Sequence, residues 1–352
     1  MAETRDNIGG GRASDRLFLF TALCKRPALW YYFYMFRTSS QKKRLFTGLQ
    51  PSGALHLGNY LGVLKPFIDI YRDYDSHIMV ADLHALTTVR DPKVLRQNII
   101  EVVKDYIALG IDPKKAIIFK QSDVPAHTEL AWIFECLVTV PFLSQAHAYK
   151  DKVAKGLEAN AGLFNYPMLM AADILLYETE VVPVGEDQRQ HVEYAREAAG
   201  KFNIAYGKMF NAPQEMILQG VGILPGTDGQ KMSKSYKNTI PLFGSKDEIV
   251  TAVMSIVTDS SGDRPENVYA IHKFIRPEME LALLYGEHAG KYKNLKEALI
   301  DDLEKLITPM RKKRDSISDR EVAMVLKEGG EKARIRAEAK MRVIRDAVGI
   351  TV

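Results

Sequence analysis

Apolar residues along this chain switch between a spacing near two and a spacing near 3.6, and each switch marks an element. The ordered pattern begins at Arg44-Leu45-Phe46-Thr47-Gly48-Leu49-Gln50, a short apolar strand that ends in the turn Pro51-Ser52-Gly53. Apolar positions at Leu57, Leu61, Leu64, Ile68 and Tyr71 predict a helix from Leu57 to Tyr74. Ser76 to Leu83 reads as a second strand and Ala116 to Phe119 as a third. Between them Pro92 to Leu109 reads as a helix, opened by proline and closed by Gly110. This β-α-β-α-β order at short spacing argues for an α/β fold, a parallel sheet with helices on both faces. Helices over Leu130–Val140 and Tyr166–Tyr177, a strand over Glu180–Gly185 and a helix over Asp187–Phe202 continue it. Past Lys231 the strand signals fade. Lys246–Thr258 and Leu295–Val348 look helical, with breaks near Pro309 and at Gly329-Gly330. The expected organisation is a sheet domain over residues 45–240 followed by an all-helical domain over 241–352.

Composition narrows the class. At 352 residues, 46% hydrophobic and 26% charged, the chain can bury a sizeable core without disulfides or metal staples. Its two cysteines, Cys24 and Cys136, form no metal-ligand spacing and fit a reducing compartment, so no metal site is expected. No apolar run is long enough for a membrane span, and no membrane partner is expected. The net charge of +4 is too small to argue for nucleic acid by itself. Residues 1–44 carry nine Lys/Arg against three acids, with aromatic clusters. They read either as an extension without a targeting role or as an organellar transit peptide, and they are set aside from the fold. The expected location is cytoplasmic, or an organellar matrix if that segment is a transit peptide.

Three stretches carry chemistry. The first strand delivers Gln50 to the C-terminal edge of the sheet, where ligands of such folds bind. Gly53 permits a tight turn. The first N–H groups of the next helix suit an anion, with His56 and Asn59 as added donors and Gly58 leaving room for a base or ribose. A plain strand–turn–helix joint with an idle His56 is the alternative. The second stretch is Lys231-Met232-Ser233-Lys234-Ser235, preceded by Gly226 and Gly229 as a hinge. Two mobile ammonium groups suit a departing pyrophosphate, whose charge develops only in the transition state. An isolated run of this kind would be a solvated basic loop; His56-Leu57-Gly58-Asn59 upstream argues otherwise. The third is Val184-Gly185-Glu186-Asp187-Gln188, again at a strand end. Here Asp187 can accept from ribose hydroxyls or simply cap a helix.

Together with Thr47–Gly53, Leu57–Tyr60, Tyr166–Tyr177 and Val182–Gln188, these residues closely resemble the tryptophanyl-tRNA synthetases of class I, over roughly residues 45–350. The resemblance implies a Rossmann-like sheet domain, a homodimer and use of Mg²⁺-ATP. It implies two steps: tryptophan attacks the α-phosphate of ATP, and a tRNA(Trp) ribose hydroxyl then attacks the adenylate. His56, Lys231 and Lys234 match the catalytic positions. Gln50, Pro51, Ser52, Gly58, Asn59, Gly185, Glu186, Asp187, Ile223, Lys231, Met232, Ser233, Lys234 and Ser235 match those that bind ATP. Phe46, Gly48, His84, Tyr166, Met170, Asp173, Val182, Val184 and Gln188 match the amino-acid pocket. Asp173 would accept from an indole N–H, and Met170, three residues away on the same helix face, offers soft contact with the ring. A tyrosine pocket would place a polar group at Met170, so tyrosine–tRNA ligase is the disfavoured alternative. The chain departs from many bacterial relatives at Ser144–Lys150, where only Lys150 keeps its place. The basic run Arg311–Arg314, with Lys332, Arg334, Arg336, Lys340, Arg342 and Arg345, could follow RNA phosphates or form a solvated helix face. Anticodon binding is assigned to the helical domain by the resemblance; no DNA partner is expected.

Overall fold

The computed structural model describes residues 42–156, 158–185, 189–218, 224–258 and 262–351. Five parallel strands form one sheet: β1 (Arg44–Leu49), β2 (Asp75–Val80), β3 (Ala116–Lys120), β4 (Val181–Val184) and β5 (Gln214–Ile217), in the order β3-β2-β1-β4-β5. Helices follow in chain order: α1 (Leu57–Asn59), α2 (Lys65–Ile70), α3 (Asp82–Ala85), α4 (Pro92–Ala108), α5 (Ala126–Glu135), α6 (Val140–Leu143), α7 (His147–Ala154), α8 (Ala161–Leu175), α9 (Arg189–Tyr206), α10 (Lys246–Met254), α11 (Glu266–His272), α12 (Glu278–Glu287), α13 (Tyr292–Asp315) and α14 (Asp319–Val348). This is the expected doubly covered, Rossmann-like sheet followed by helices. Adjacent strand residues divide between two apolar layers. Leu45, Ile78 and Ile118 pack with α1, α4 and α13, while Phe46, Met79 and Phe119 pack with α5, α8 and α9. Strand order reverses between β1 and β4, so their C-terminal ends open the crevice where ligands of such sheets bind.

Several boundaries differ from the sequence expectation. The helix expected over Leu57–Tyr74 is composite, because a π-turn at Tyr60–Leu64 joins α1 to α2 and a 3₁₀ turn ends it. Lys65 N–H bonds back five residues to Tyr60 just before Pro66, which has no N–H; the widened turn accommodates that proline. The second strand stops at Val80, and Asp82-Leu83 belong to α3. The helix expected over Leu130–Val140 is instead α5 and the separate α6. Helix α8 begins five residues early, capped by Asn160, whose side chain accepts from Leu163 N at 2.9 Å. Strand β5 and helices α7, α11 and α12 carried no clear periodic signal.

The largest difference lies in the last helices. Helix α13 runs through Pro309 and α14 runs through Gly329-Gly330; the break falls between them, where Ser318 caps α14. The glycine pair therefore serves packing. A Cβ on Gly329 would stand 1.7 Å from the Ile118 carbonyl oxygen, so only glycine lets α14 lie against β3. On one side of that contact Val322 and Leu326 join the first apolar layer. On the other, Ala333, Ala337, Met341 and Ile344 join the second. Residues Lys43–Val352 accordingly form one compact unit. Several of the basic residues read as either RNA-tracking or solvated are paired with acids here. Arg314 pairs with Glu101 and Asp105, Arg336 with Asp75, Lys340 with Glu178 and Arg345 with Glu129.

Candidate active site

The turn after β1 is held from three sides. Ser52 N donates to Gln50 O at 2.8 Å, and Asn98 Nδ2 on α4 donates to Pro51 O at 3.2 Å. Gln50 Nε2 donates to the backbone oxygen of His84 at 3.2 Å. Gly53 has φ +96, a left-handed conformation that needs glycine.

His56 caps α1 and is nearly buried. Its Nδ1 accepts from Asn59 N at 3.3 Å, and its own N–H donates to Asn59 Oδ1 at 3.1 Å. That pairing leaves the proton on Nε2. Burial, then the positive charge of Lys234, lowers the imidazole to about 4, so at neutral pH His56 is an uncharged donor through Nε2. Gly58 gives up its side-chain space to this ring. A Cβ there would stand 3.0 Å from His56 Nδ1 and 3.4 Å from Met232 Cβ, so a side chain at this position would crowd the imidazole.

The Lys231 segment lies directly across from the turn. Leu57 N donates to Ile240 O at 2.9 Å and Leu242 N to Leu55 O at 3.0 Å, which stitches the two motifs together. Lys234 Nζ reaches the carbonyl oxygens of Ser52 at 3.2 Å and Gly53 at 3.1 Å. Burial lowers the Lys234 pKa, with Asp105 opposing it. Met232 points down and is buried in the core, its backbone N–H bonded to Leu224 O. Ser233 Oγ and Ser235 Oγ are 2.8 Å apart, and Lys231 is exposed. Gly226 and Gly229 do not form a free hinge. They close a tight turn over Asn238, with Gly226 N to Gln230 O at 2.6 Å, and a Cβ on Gly226 would stand 2.3 Å from the Asn238 side chain. Buried Asn238 anchors the segment: its Nδ2 donates to Asp228 Oδ1 and Lys231 O, and its Oδ1 accepts from Ser233 N.

On the other side of β1, Asp173 is 1% exposed. His84 Nε2 lies 2.8 Å from Oδ2, and Gln121 Nε2 reaches both oxygens at 2.9 and 3.0 Å. His127 Nδ1 approaches Oδ1 to 2.6 Å off the ideal N–H axis, so that contact is electrostatic more than a directed bond. Burial pushes the carboxyl up, but His127 and His84 outweigh it and hold it at about 2. Asp173 is therefore an anion at every physiological pH. Gln121 also accepts from Leu83 N and His84 N, which fixes α3 beside the carboxylate. Met170 is partly buried one turn from Asp173, and Tyr166 packs edge-on to His84 while its hydroxyl meets His191 Nε2 at 3.1 Å. Phe46 and Val182 are buried, Val184 is partly so, and Gly48 faces the methyl of Met79. Gly185 follows β4 at the crevice. Lys150 is an exposed residue of α7. Glu186, Asp187, Gln188 and Ile223 lie outside the described residues.

Asn98, Gln121, His127 and Asn238 were not singled out from the sequence. Gln121 and His127 had one available signal: both follow β3 closely, at the same sheet edge as Gln50.

The family model for class I tRNA synthetases (W and Y) matches residues 38–320. The chain is 44% identical to the tryptophan–tRNA ligase of Fusobacterium nucleatum over 319 residues, covering 88% of this chain and 98% of that relative. It is 43% identical to the tryptophan–tRNA ligase of Rhodopirellula baltica over 302 residues, 83% of this chain and 94% of that one. The fold matches the crystal structure of Campylobacter jejuni tryptophanyl-tRNA synthetase complexed with ADP and tryptophan. The TM-score is 0.82 at 40% identity, over 87% of this chain and 99% of that one.

Proposed function

We propose how these residues work from the premise that the chain belongs to the class I tRNA synthetases for tryptophan and tyrosine, in their tryptophan–tRNA ligase branch. The reaction uses ATP to activate L-tryptophan and passes the tryptophanyl group to tRNA(Trp). Tryptophan's carboxylate attacks the α-phosphate, the bond to pyrophosphate breaks, and a terminal ribose hydroxyl of the tRNA later displaces AMP. Positioning and charge stabilisation can carry both transfers without a protein nucleophile.

His56 donates its Nε2 proton to a phosphate oxygen, uncharged throughout. Lys234 exchanges the Ser52 and Gly53 carbonyls for phosphate oxygens, and Lys231 joins it from the exposed side of the segment. Both stabilise charge that appears as pyrophosphate departs. Asp173 accepts from the indole N–H, with Met170 against the ring. Mg²⁺ would come with the ATP phosphates, as the family's ATP chemistry implies. Residues 45–240 serve catalysis and 241–352 the anticodon. A homodimer is assigned, with Trp132 and Val140 on α5 and α6, 67% and 66% exposed, as a face for a second copy. The place of action is the cytoplasm, or an organellar matrix if residues 1–44 are a transit peptide. No described helix is long and apolar enough to cross a membrane.

The meeting of two motifs 181 residues apart, Lys234 on Gly53, carries the assignment of adenylate chemistry. Tyrosine is disfavoured because Met170 gives a phenol hydroxyl no partner. Pyrophosphate exchange across all amino acids tests the whole: tryptophan alone is expected to drive it, and exchange driven by tyrosine instead would overturn the pocket assignment.

A further inference from the structure

Beside Asp173 a second set of buried groups stands in contact. His127 is fully buried, and its Nε2 lies 2.9 Å from the hydroxyl of Tyr177, in the turn two residues past the end of α8, the helix that carries Asp173. Its Nδ1 faces Asp173 at 2.6 Å. Tyr177 is caged by aromatic rings. Phe46 stacks on it at 5.9 Å between ring centres and His77 at 4.9 Å, and Phe119 meets it edge-on at 5.4 Å. Burial keeps this phenol protonated.

These contacts decide where the imidazole proton sits. A neutral imidazole carries one N–H and one lone pair. An N–H on Nδ1 faces the carboxylate and leaves Nε2 to accept from the Tyr177 hydroxyl. The opposite tautomer would turn a lone pair toward an anion 2.6 Å away. We propose that Tyr177 and His127 are positioning residues for amino-acid recognition: Tyr177 fixes the His127 tautomer, and His127 keeps Asp173 anionic and aimed so that an oxygen remains to accept the indole N–H. This rests on the assignment of Asp173 as the indole acceptor. The other titratable or charged groups facing this line are His84 from α3, His77 from β2, with Arg336 and Asp75 behind it, and Arg44 from β1, which donates to the Tyr177 carbonyl. Gln121 completes the carboxylate's partners.

Removing the hydroxyl leaves Nε2 bare among aromatic rings. The imidazole is then free to take the wrong tautomer, and the carboxylate relieves the repulsion by taking a proton. In Tyr177→Phe, the KM for tryptophan in pyrophosphate exchange should rise about tenfold with kcat little changed, the size of one lost buried hydrogen bond. The acid limb of kcat/KM should move to higher pH. Discrimination between tryptophan and its benzothiophene analogue, which has sulfur in place of N–H, should shrink. That ratio does not depend on how much of the variant is folded. In a His127→Ala background, Tyr177→Phe should have no further effect on the ratio.

If the parent enzyme does not discriminate against the benzothiophene analogue, the indole-acceptor assignment falls and this proposal with it. If the parent discriminates and Tyr177→Phe keeps the same ratio and the same acid limb, or the two substitutions add, the positioning role alone is overturned.

Discussion

Gly329→Ala is the sharpest test of the packing, because two effects of opposite sign compete. In the interior of a helix, alanine is favoured over glycine by about 1 kcal/mol, so propensity alone predicts a gain. The added Cβ would stand 1.7 Å from the Ile118 oxygen and 2.6 Å from its carbonyl carbon. Ordinary carbon–oxygen contact is about 3.3 Å or more, so helix and strand must separate by roughly 1.5 Å. Neither is free to move. Ile118 is hydrogen-bonded within the sheet, and α14 is held by Val322 and Leu326 on one side and Met341 and Ile344 on the other. Overpacking of a tight core costs about 1–3 kcal/mol and sometimes more, and backbone as the obstacle puts this site at the upper end. The net expectation is a loss of about 2 kcal/mol after the propensity gain. Gly200→Ala and Gly286→Ala, on α9 and α12 with nothing within 4 Å of the added methyl, are the controls; each should gain about 0.5–1 kcal/mol. Urea denaturation of the three variants measures this directly. A Gly329→Ala protein as stable as its parent would mean that α14 does not lie against β3 as described.

Three further outcomes follow from the site and its charges. Lys234→Ala should slow tryptophanyl-adenylate formation by about 10²–10³, as loss of a transition-state donor does, while tryptophan affinity by calorimetry stays unchanged; equal losses in both would remove its assigned role. Asn238→Ala should lower the exchange rate by loosening the Lys231 segment, and a detectable drop in thermal midpoint should accompany it through unpaired Asp228 and Ser233 partners; unaltered exchange would show that the segment is held otherwise. His56 and His77 both sit at about 4 in the fold, against 6.5 when free. In His77 burial leads, with Arg336 adding to it. Native histidines that resist protonation while unfolded ones accept it make stability full above pH 6.5 and progressively lost down to pH 4. Below that, the Asp173 contribution is lost as pH falls toward 2. A flat denaturation midpoint between pH 7 and 4.5 would contradict the histidine part.

The sheet was legible where the period was clean. β1 to β3 and the helices between them followed from alternation and from Pro92 and Gly110, and they placed Gln50 at the correct edge. β5 was not legible: Gln214-Glu215-Met216-Ile217 has one central charge, and that charge is satisfied by Arg196 on α9 rather than by solvent. Gly329-Gly330 was misread because local propensity treats glycine as a stop, whereas here a distant strand decides it. The same limit applied to the site. His56, Lys234 and Asp173 stand in motifs. Asn238 acts through contacts that only the fold creates, so nothing in its neighbours marks it, and His127 had only its place after β3 to mark it. Gly58 and Met232 were read as nucleotide contacts from their motifs; that a side chain on Gly58 would crowd the His56 ring, and that Met232 is buried, show only in the fold.

The passage of α14 along β3 has one more consequence. β3 ends the sheet, and its outer row of backbone groups would otherwise invite pairing with another chain. The last thirty-residue helix lies against that strand. A fragment cut after residue 240 would keep every motif for adenylate chemistry and lose its protective flank. Such a fragment should aggregate on expression even though its chemistry is complete, so the catalytic half of this enzyme is not separable from its tail.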